Sequence, residues 1–255
     1  MRHDARVEPL RLAGLGLAAA LAATINSVAG GGSLVSFPAL LAAGVPPVLA
    51  SATNTAALAP GNVASAIAYR AELGPHARLT FALAAAASVG GVAGAVLLLS
   101  APPRVFELVV PWLVLLATAL LVFQDRLAPE QGAGRRRTPW LVALGLAGVA
   151  VYGGYFGAGI GMLTLALLAP LGAGDLHRMN AMKSVIVAGV NGAATIYFLA
   201  RGRVELVPAL VMAAGAIAGG YSGAALARQV SPRRVRWVVI AIGVVLSGLL
   251  AARYY

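Results

Sequence analysis

The sequence contains no cysteine and a single lysine, and charged residues make up only 11% of its 255 positions. The lack of cysteine excludes a disulfide framework, a thiolate nucleophile and a metal site with sulfur ligands. Soluble domains carry about 25% charged residues, so a share this small, beside 60% hydrophobic residues, does not suit a soluble globule. The composition predicts an all-α polytopic membrane protein with about seven to nine spanning segments.

Acidic residues are scarce, with eight against 19 basic residues, and the net charge is +11. Basic chains often bind nucleic acid. Here the arginines lie mostly in short breaks between apolar runs, where basic residues fix the orientation of a membrane protein. We therefore expect no nucleic-acid partner. The expected partner at this stage is the lipid bilayer of the cytoplasmic membrane, and the sequence leaves a homo-oligomer open.

No pattern in the sequence predicts catalysis. The three histidines are far apart, and there is no His-Glu-x-x-His run and no pair of aspartates. The glycines at 157, 159 and 161 resemble part of a nucleotide-binding loop, but no Gly-Lys-Ser/Thr follows them. We expect no enzymatic activity, no catalytic residue, no metal ion and no cofactor.

The two halves of the chain match each other at an offset of 129 positions, where Gly32 falls on Gly161 and Asn62 on Asn191. Two weakly similar halves are typical of transporters whose substrate site lies at the interface between the repeats. The sequence thus predicts two tandem homologous repeats. The predicted parts are an N-terminal tail (1–11), repeat 1 (12–123), a polar linker (124–138) and repeat 2 (139–255).

Each half divides into five apolar segments, of which the second has only about 12 residues, too few to cross a core of about 30 Å. Glycines interrupt the chain before each short segment, and irregular backbone at membrane depth needs protein or a water-filled cavity around it. Each repeat therefore starts with a broken or re-entrant helix, and the breaks indicate a binding site. The predicted helices are 10–29, 33–43, 48–69, 77–99 and 104–123, then 139–157, 161–173, 176–200, 205–227 and 233–252.

Two topologies stay open. If each short helix continues across the membrane, the halves run parallel, and if it turns back as a re-entrant hairpin, they are inverted. The basic residues divide between the two sides equally well in both cases, so the positive-inside rule does not choose.

The third helix of each repeat carries a polar stripe, which we expect to face the bundle interior because lipid offers no hydrogen bonds. At about 100° per residue, Asn180, Ser184 and Asn191 share one face, with Lys183 beside them. In repeat 1, Asn54 takes the position of Lys183. The candidate hydrogen-bonding residues of repeat 1 are Thr53, Asn54, Thr55 and Asn62.

Lys183, the only lysine, lies about one to two turns inside its predicted helix, where a charge costs about 2.5 to 3.5 kcal/mol. No acidic residue lies in the apolar core, so a bound anion would supply the missing negative charge. The alternatives are that Lys183 extends to the membrane interface or pairs with Asp175.

The glycine breaks fit an anion site, because free amides and the positive end of a helix dipole favour anionic groups. The candidate amides are those of Gly30, Gly31, Gly32 and Ser33 in repeat 1 and of Gly157, Gly159 and Gly161 in repeat 2. A second set of glycines has the small-xxx-small spacing of packed membrane helices. These glycines are Gly90, Gly91 and Gly94, with Gly215, Gly219 and Gly223.

Two long runs of the sequence carry a family resemblance. The first contains Ala29-Gly-Gly-Gly-Ser, Pro38, Gly44-Val-Pro-Pro, Ala52-Thr-Asn-Thr and Pro60-Gly-Asn, and the second contains Gly153-Gly-Tyr-Phe-Gly-Ala-Gly-Ile-Gly and Asp175-Leu-His-Arg-Met-Asn-Ala-Met-Lys. These runs resemble the sulfite exporter TauE/SafE family, and the resemblance covers nearly the whole chain from about residue 17. It implies a membrane permease of two duplicated modules for sulfite, organosulfonates or related anions. One departure is that Asn54 and Lys183 make any site asymmetric in charge.

The sequence thus predicts a permease that exports a small anion by alternating access at the repeat interface. The alternatives are an anion channel or importer on the same scaffold, and a membrane assembly factor that moves no solute.

Overall fold

The computed structural model describes residues 7–28, 30–123, 139–169, 176–226 and 232–255. These residues form ten α-helices and two short 3₁₀ turns, Arg70–Glu72 and Gly74–His76. The helices are α1 (Val7–Val28), α2 (Ser33–Ala42), α3 (Pro47–Ala68), α4 (Ala77–Ser100), α5 (Pro103–Val122), α6 (Pro139–Tyr155), α7 (Ile160–Leu168), α8 (Leu176–Ala200), α9 (Leu206–Leu226) and α10 (Pro232–Tyr254).

Proline and glycine set several of these boundaries. Pro47 and Pro103 occupy the first positions of α3 and α5, where a missing N–H leaves no bond unmade. After α1, Gly30 and Gly31 have φ of 83° and 88°, a left-handed conformation that glycine adopts without steric cost and that ends a helix. The predicted helices are confirmed to within a few residues, and the end of the segment 161–173 lies outside the described residues.

Six of the described helices are long and apolar enough to cross a membrane: α1, α4, α5, α8, α9 and α10. Helix α3 has 22 residues, but its polar stripe lowers its hydropathy, and α6 has only 17. The count is therefore below the expected seven to nine. Helices α2 and α7 have 10 and 9 residues, and at about 1.5 Å per residue neither crosses the hydrocarbon core. The polytopic helix bundle is confirmed.

Helices from the two halves of the chain interleave. Helix α9 packs against α1 and α3, while α4 packs against α6 and α8. In addition, α3 contacts α8, and α5 contacts α10. Every one of these contacts has a counterpart when α1–α5 are exchanged with α6–α10. The duplication itself stays a prediction, and the predicted linker 124–138 lies outside the described residues.

Helices pack closely at the predicted small-residue positions. A Cβ atom on Gly94 would lie 2.0 Å from the carbonyl oxygen of Val151, and one on Gly219 would lie 2.0 Å from that of Ala20. Only glycine permits backbones to approach this closely. The helix-packing role of these glycines is confirmed.

The outer surface and the interior have the reverse of the polarity found in a soluble protein. Leu17, Val89, Ile196 and Leu210 are each at least two-thirds exposed. Lys183, Asn54 and Asn180, in contrast, are each no more than 3% exposed. This distribution suits a bundle that contacts lipid outside and holds a polar site inside.

Candidate functional site

The two helix breaks lie against each other at the centre of the bundle. A Cβ atom on Gly30 would lie 3.0 Å from the backbone nitrogen of Met162, and one on Gly161 would lie 3.4 Å from Cα of Gly30. The chain therefore brings together two segments that are about 130 residues apart in sequence.

A small cavity lies beside these breaks, between α1, α3, α7 and α8. The cavity has a volume of about 10 Å³, which is room for about one water molecule. Seven of the residues predicted from the sequence line this cavity. They are Ser33, Asn62, Gly157, Gly161, Lys183, Ser184 and Asn191.

Lys183 is buried and fully hydrogen-bonded. Its Nζ donates to the carbonyl oxygen of Asn26 at 2.7 Å, to that of Ser27 at 3.4 Å, and to Oδ1 of Asn180 at 2.7 Å. An ammonium group has three N–H donors, so all three are used. The alternative in which Lys183 extends to the membrane interface is wrong, because the residue is only 3% exposed. Its pairing with Asp175 lies outside the described residues.

The ammonium finds its negative partner at the end of a helix. Asn26 and Ser27 belong to the last turn of α1, whose carbonyl oxygens have no partner within the helix and carry a partial negative charge of about half an electron. A lysine from α8 therefore caps a helix from the other half of the chain. This explains how a single cation is stable in the interior.

Asn26 also bridges the break between α1 and α2. Its Oδ1 accepts a hydrogen bond of 2.7 Å from the backbone nitrogen of Gly32, while its carbonyl oxygen accepts one from Lys183. One residue thus ties the end of α1 to the start of α2 and to α8. Any movement of α2 relative to α1 must break or carry this connection.

Three serine hydroxyl groups form a hydrogen-bonded row that begins at Ser27, beside the ammonium of Lys183. Ser27 Oγ donates to Ser65 Oγ at 3.0 Å, and Ser65 Oγ lies 3.2 Å from Ser184 Oγ. These three serines belong to α1, α3 and α8, so their hydrogen bonds join the three helices around the cavity. Hydroxyl groups can reverse the direction of their hydrogen bonds at little cost, so they can serve a ligand as donors.

Asn62 and Asn191 occupy the same position in the two predicted repeats, and both line the cavity. They are 7% and 6% exposed, and each has an amide atom without a hydrogen-bond partner, Nδ2 in Asn62 and Oδ1 in Asn191. A buried amide normally has its full set of partners, and rotation about the last bond exchanges the oxygen and the nitrogen. These two side chains are free to bind a ligand that enters the cavity.

Three predicted residues of α3 do not line the cavity. Thr53 Oγ1 accepts a 3.0 Å hydrogen bond from the backbone nitrogen of Glu205, before α9. Asn54 is buried, and its Oδ1 has no partner. Thr55 Oγ1 would lie 3.9 Å from a Cβ atom on Gly157, so it faces the second break.

Some of the predicted amides already have partners. The backbone nitrogen of Gly30 donates to the carbonyl oxygen of Ile25, and that of Gly32 donates to Asn26. Gly31 packs against Leu121, and Gly159 lies near Ala117. In this conformation at least the amides of Gly30 and Gly32 hold the break itself, and their role toward an anion stays a prediction.

Sequence reasoning missed Asn26, Ser27 and Ser65. A signal for Ser65 existed, because at about 100° per residue it falls on the same face of α3 as Thr55 and Asn62. Asn26 and Ser27 are polar residues in the last turn before the glycine break, a position that favours side chains able to bind freed backbone groups. Their contact with Lys183 had no signal in the sequence.

The family model for the sulfite exporter TauE/SafE matches residues 15–250 of this chain. A probable membrane transporter protein, YfcA, from Escherichia coli K12 is 28% identical over 249 residues, which cover 96% of this chain and 91% of that protein. A probable membrane transporter protein from Haemophilus influenzae is 27% identical over 86% of each chain.

A third relative, the probable membrane transporter protein ORF9 from a Sinorhizobium species, is 30% identical over 94% of this chain and 92% of its own length. No solved structure matches the chain. The family match covers both helix breaks and all or part of each of the ten described helices. The chain is therefore a multi-pass membrane protein of the cell membrane that belongs to the sulfite exporter TauE/SafE family.

Proposed function

We propose that this protein is a permease that moves a small oxyanion, such as sulfite or an organosulfonate, out of the cell. The observation that carries the proposal is the meeting of two broken helices beside a buried polar cavity that contains the chain's only lysine. Discontinuous helices that meet at the interface of two repeats are where transporters place their substrate sites. The family and the names of the relatives support transport as the general activity.

The lining of the cavity favours an anion over a cation or a neutral solute. Within the described parts of the chain, its one charged side chain is the ammonium of Lys183, and no described carboxylate lines it. The remaining polar groups are amides and hydroxyls that can donate hydrogen bonds to oxygen atoms. Lys183 has its partners at the end of α1, but its positive charge still favours an anion over a cation in the cavity beside it.

The size of the cavity supports a mechanism with at least two conformations. Room for about one water molecule does not hold an anion of four or more heavy atoms. The helices around the cavity must therefore separate before the substrate enters. Because α1 packs on α9 and α6 packs on α4, we propose that each pair moves as a unit against the other, opening the site to one side at a time.

The test is flux in liposomes that contain the purified protein. Sulfite and a series of organosulfonates are loaded on one side, and their release is measured with and without a gradient. We expect saturable flux of at least one of these anions. Lys183→Ala should abolish that flux, while Arg203→Ala, which removes a positive charge from an exposed position, should leave it within about twofold.

The same experiment separates the alternatives. Flux that does not saturate indicates a channel, and uptake driven only by an inward gradient indicates an importer. If no anion moves in either direction under any gradient, an assembly role that involves no flux becomes the better account. Unchanged flux in Lys183→Ala would remove this residue from the site.

A further inference from the structure

Among the residues that the structure describes, only one formally charged side chain lines the cavity. Of the eleven residues that line it, Lys183 alone is ionisable, and the rest are amides, hydroxyls, glycines and two aliphatic side chains. Ile160 and Val187 supply the apolar part of the wall. An anion bound here therefore meets a single compensating charge in surroundings that screen it poorly.

Part of that one charge is already offset. The ammonium donates to the carbonyl oxygens of Asn26 and Ser27, which belong to the negative end of α1. Since all three of its N–H groups have partners, the ammonium acts on an anion through its charge, whereas direct hydrogen bonds come from neutral donors. Among the lining residues, Asn62 has its amide nitrogen and Asn191 its amide oxygen without a partner, and rotation of the Asn191 amide would present its NH₂ group instead.

From this arrangement, and resting on the transport function proposed above, we infer that the site accepts monovalent anions and rejects divalent ones. A monovalent anion brings the charge of the cavity close to zero. A divalent anion of the same size leaves a full negative charge without a partner in the interior, and neutral amides and hydroxyls do not compensate it. The species carried is thus a singly charged oxyanion, for example hydrogensulfite or a simple sulfonate.

Methanesulfonate and sulfate provide a direct test, because both have a tetrahedral sulfur atom of similar size but differ in charge. Labelled methanesulfonate and labelled sulfate are each offered to liposomes that contain the wild-type protein. Chlorate, a monovalent pyramidal oxyanion, is added as an unlabelled competitor against sulfite release. We expect methanesulfonate to be carried, chlorate to compete, and sulfate to be weaker than methanesulfonate by about 100-fold or more.

Sulfate flux equal to or greater than that of methanesulfonate would overturn the inference while leaving the transport function intact. If neither anion moves and sulfite does not move either, the transport function itself fails. The two failures are therefore distinguishable in one set of vesicles.

A variant of nearly unchanged shape gives a second test. Asn191→Asp places a carboxylate in the wall of the cavity without changing its volume, and it should lower methanesulfonate flux by about 100-fold. Asn191→Ala, which removes a neutral hydrogen-bonding group, should lower it by less than about tenfold. Asn62→Asp repeats the test from α3 should the first variant fail to fold. Equal flux in the Asp and Ala variants at either position would contradict the inference.

Discussion

The two helix breaks share one type of backbone hydrogen bond but differ in the side chains that hold them together. After α1, Gly30 donates to the carbonyl oxygen five residues earlier, and after α6, Gly157 does the same. At the first break, the side chain of Asn26 accepts a hydrogen bond from the amide of the residue six positions later, Gly32. At the second, the hydroxyl of Tyr152 donates at 2.7 Å to the carbonyl oxygen six positions later, in Ala158.

The helix ends also have different caps. The carbonyl oxygen of Asn26 receives the ammonium of Lys183, while that of Tyr155, at the related position, receives a 3.3 Å hydrogen bond from the hydroxyl of Ser51. The third helix of each half therefore caps the first helix of the other half. Only one of the two caps is charged, which places the positive charge of the site beside one break.

The two caps show that related helix breaks can surround a site in which only one half of the chain supplies a charged side chain. Two identical lysines would have put two positive charges in one small interior, and like charges at short distance are strongly unfavourable there. Asn54 in place of a second lysine avoids this repulsion.

The largest difference in stability between the two breaks is expected when alanine replaces two related glycines, Gly32 and Gly161. A Cβ atom on Gly32 would lie 1.9 Å from the carbonyl oxygen of Ala22, whereas on Gly161 its nearest neighbours are 3.4 Å away. Gly32→Ala should lower the free energy of unfolding by about 3 kcal/mol or more, and Gly161→Ala by less than about 1 kcal/mol.

Denaturant titration of the protein in one detergent measures both values. Gly14→Ala is the control, because nothing lies within 4 Å of the added atom. Equal losses in Gly32→Ala and Gly161→Ala would show that the two breaks are packed alike, against the structure.

The next largest difference in stability is expected when the groups that cap the two helix ends are altered. Asn180→Ala removes an acceptor from the buried ammonium and should cost about 1.5 to 3 kcal/mol, since hydrogen bonds to charged groups are the stronger ones. Ser51→Ala, at the related position in repeat 1, loses a longer neutral bond and should cost about 0.5 to 1 kcal/mol. The same denaturant titration measures both losses in the free energy of unfolding. A larger loss in Ser51→Ala than in Asn180→Ala would contradict the assignment of the stronger, charged cap to α1.

The smallest difference in stability is expected for the side chains that bridge each break, Asn26 and Tyr152. Asn26→Ala leaves the amide of Gly32 without its partner and should cost about 1 to 2 kcal/mol. Tyr152→Phe leaves the carbonyl oxygen of Ala158 with one acceptor site unused, which is better tolerated, and should cost about 1 kcal/mol. Hydrogen exchange at the residues after each break reports the local loosening, and faster exchange after Tyr152→Phe than after Asn26→Ala would contradict this ranking.

The sequence by itself determined the helices, the short second helix of each half and the polar stripes. These features depend on local patterns, because hydrophobic runs, proline at helix starts and glycine after helix ends act on neighbouring residues. Four of the seven predicted residues that line the cavity do so for the same reason, because a helical period places Asn62 on the inner side of α3, and Lys183, Ser184 and Asn191 on that of α8.

The tertiary structure alone decided which groups meet across the bundle. Nothing in the residues around Lys183 indicates that its amine caps a helix that ends about 155 positions earlier, or that Asn26 completes the arrangement. Such contacts depend on how α1, α3 and α8 pack, and packing is decided by all the helices together. Thr53 shows the converse, since its place on a polar helix suggested the cavity, while its rotation within the bundle directs it to the start of α9.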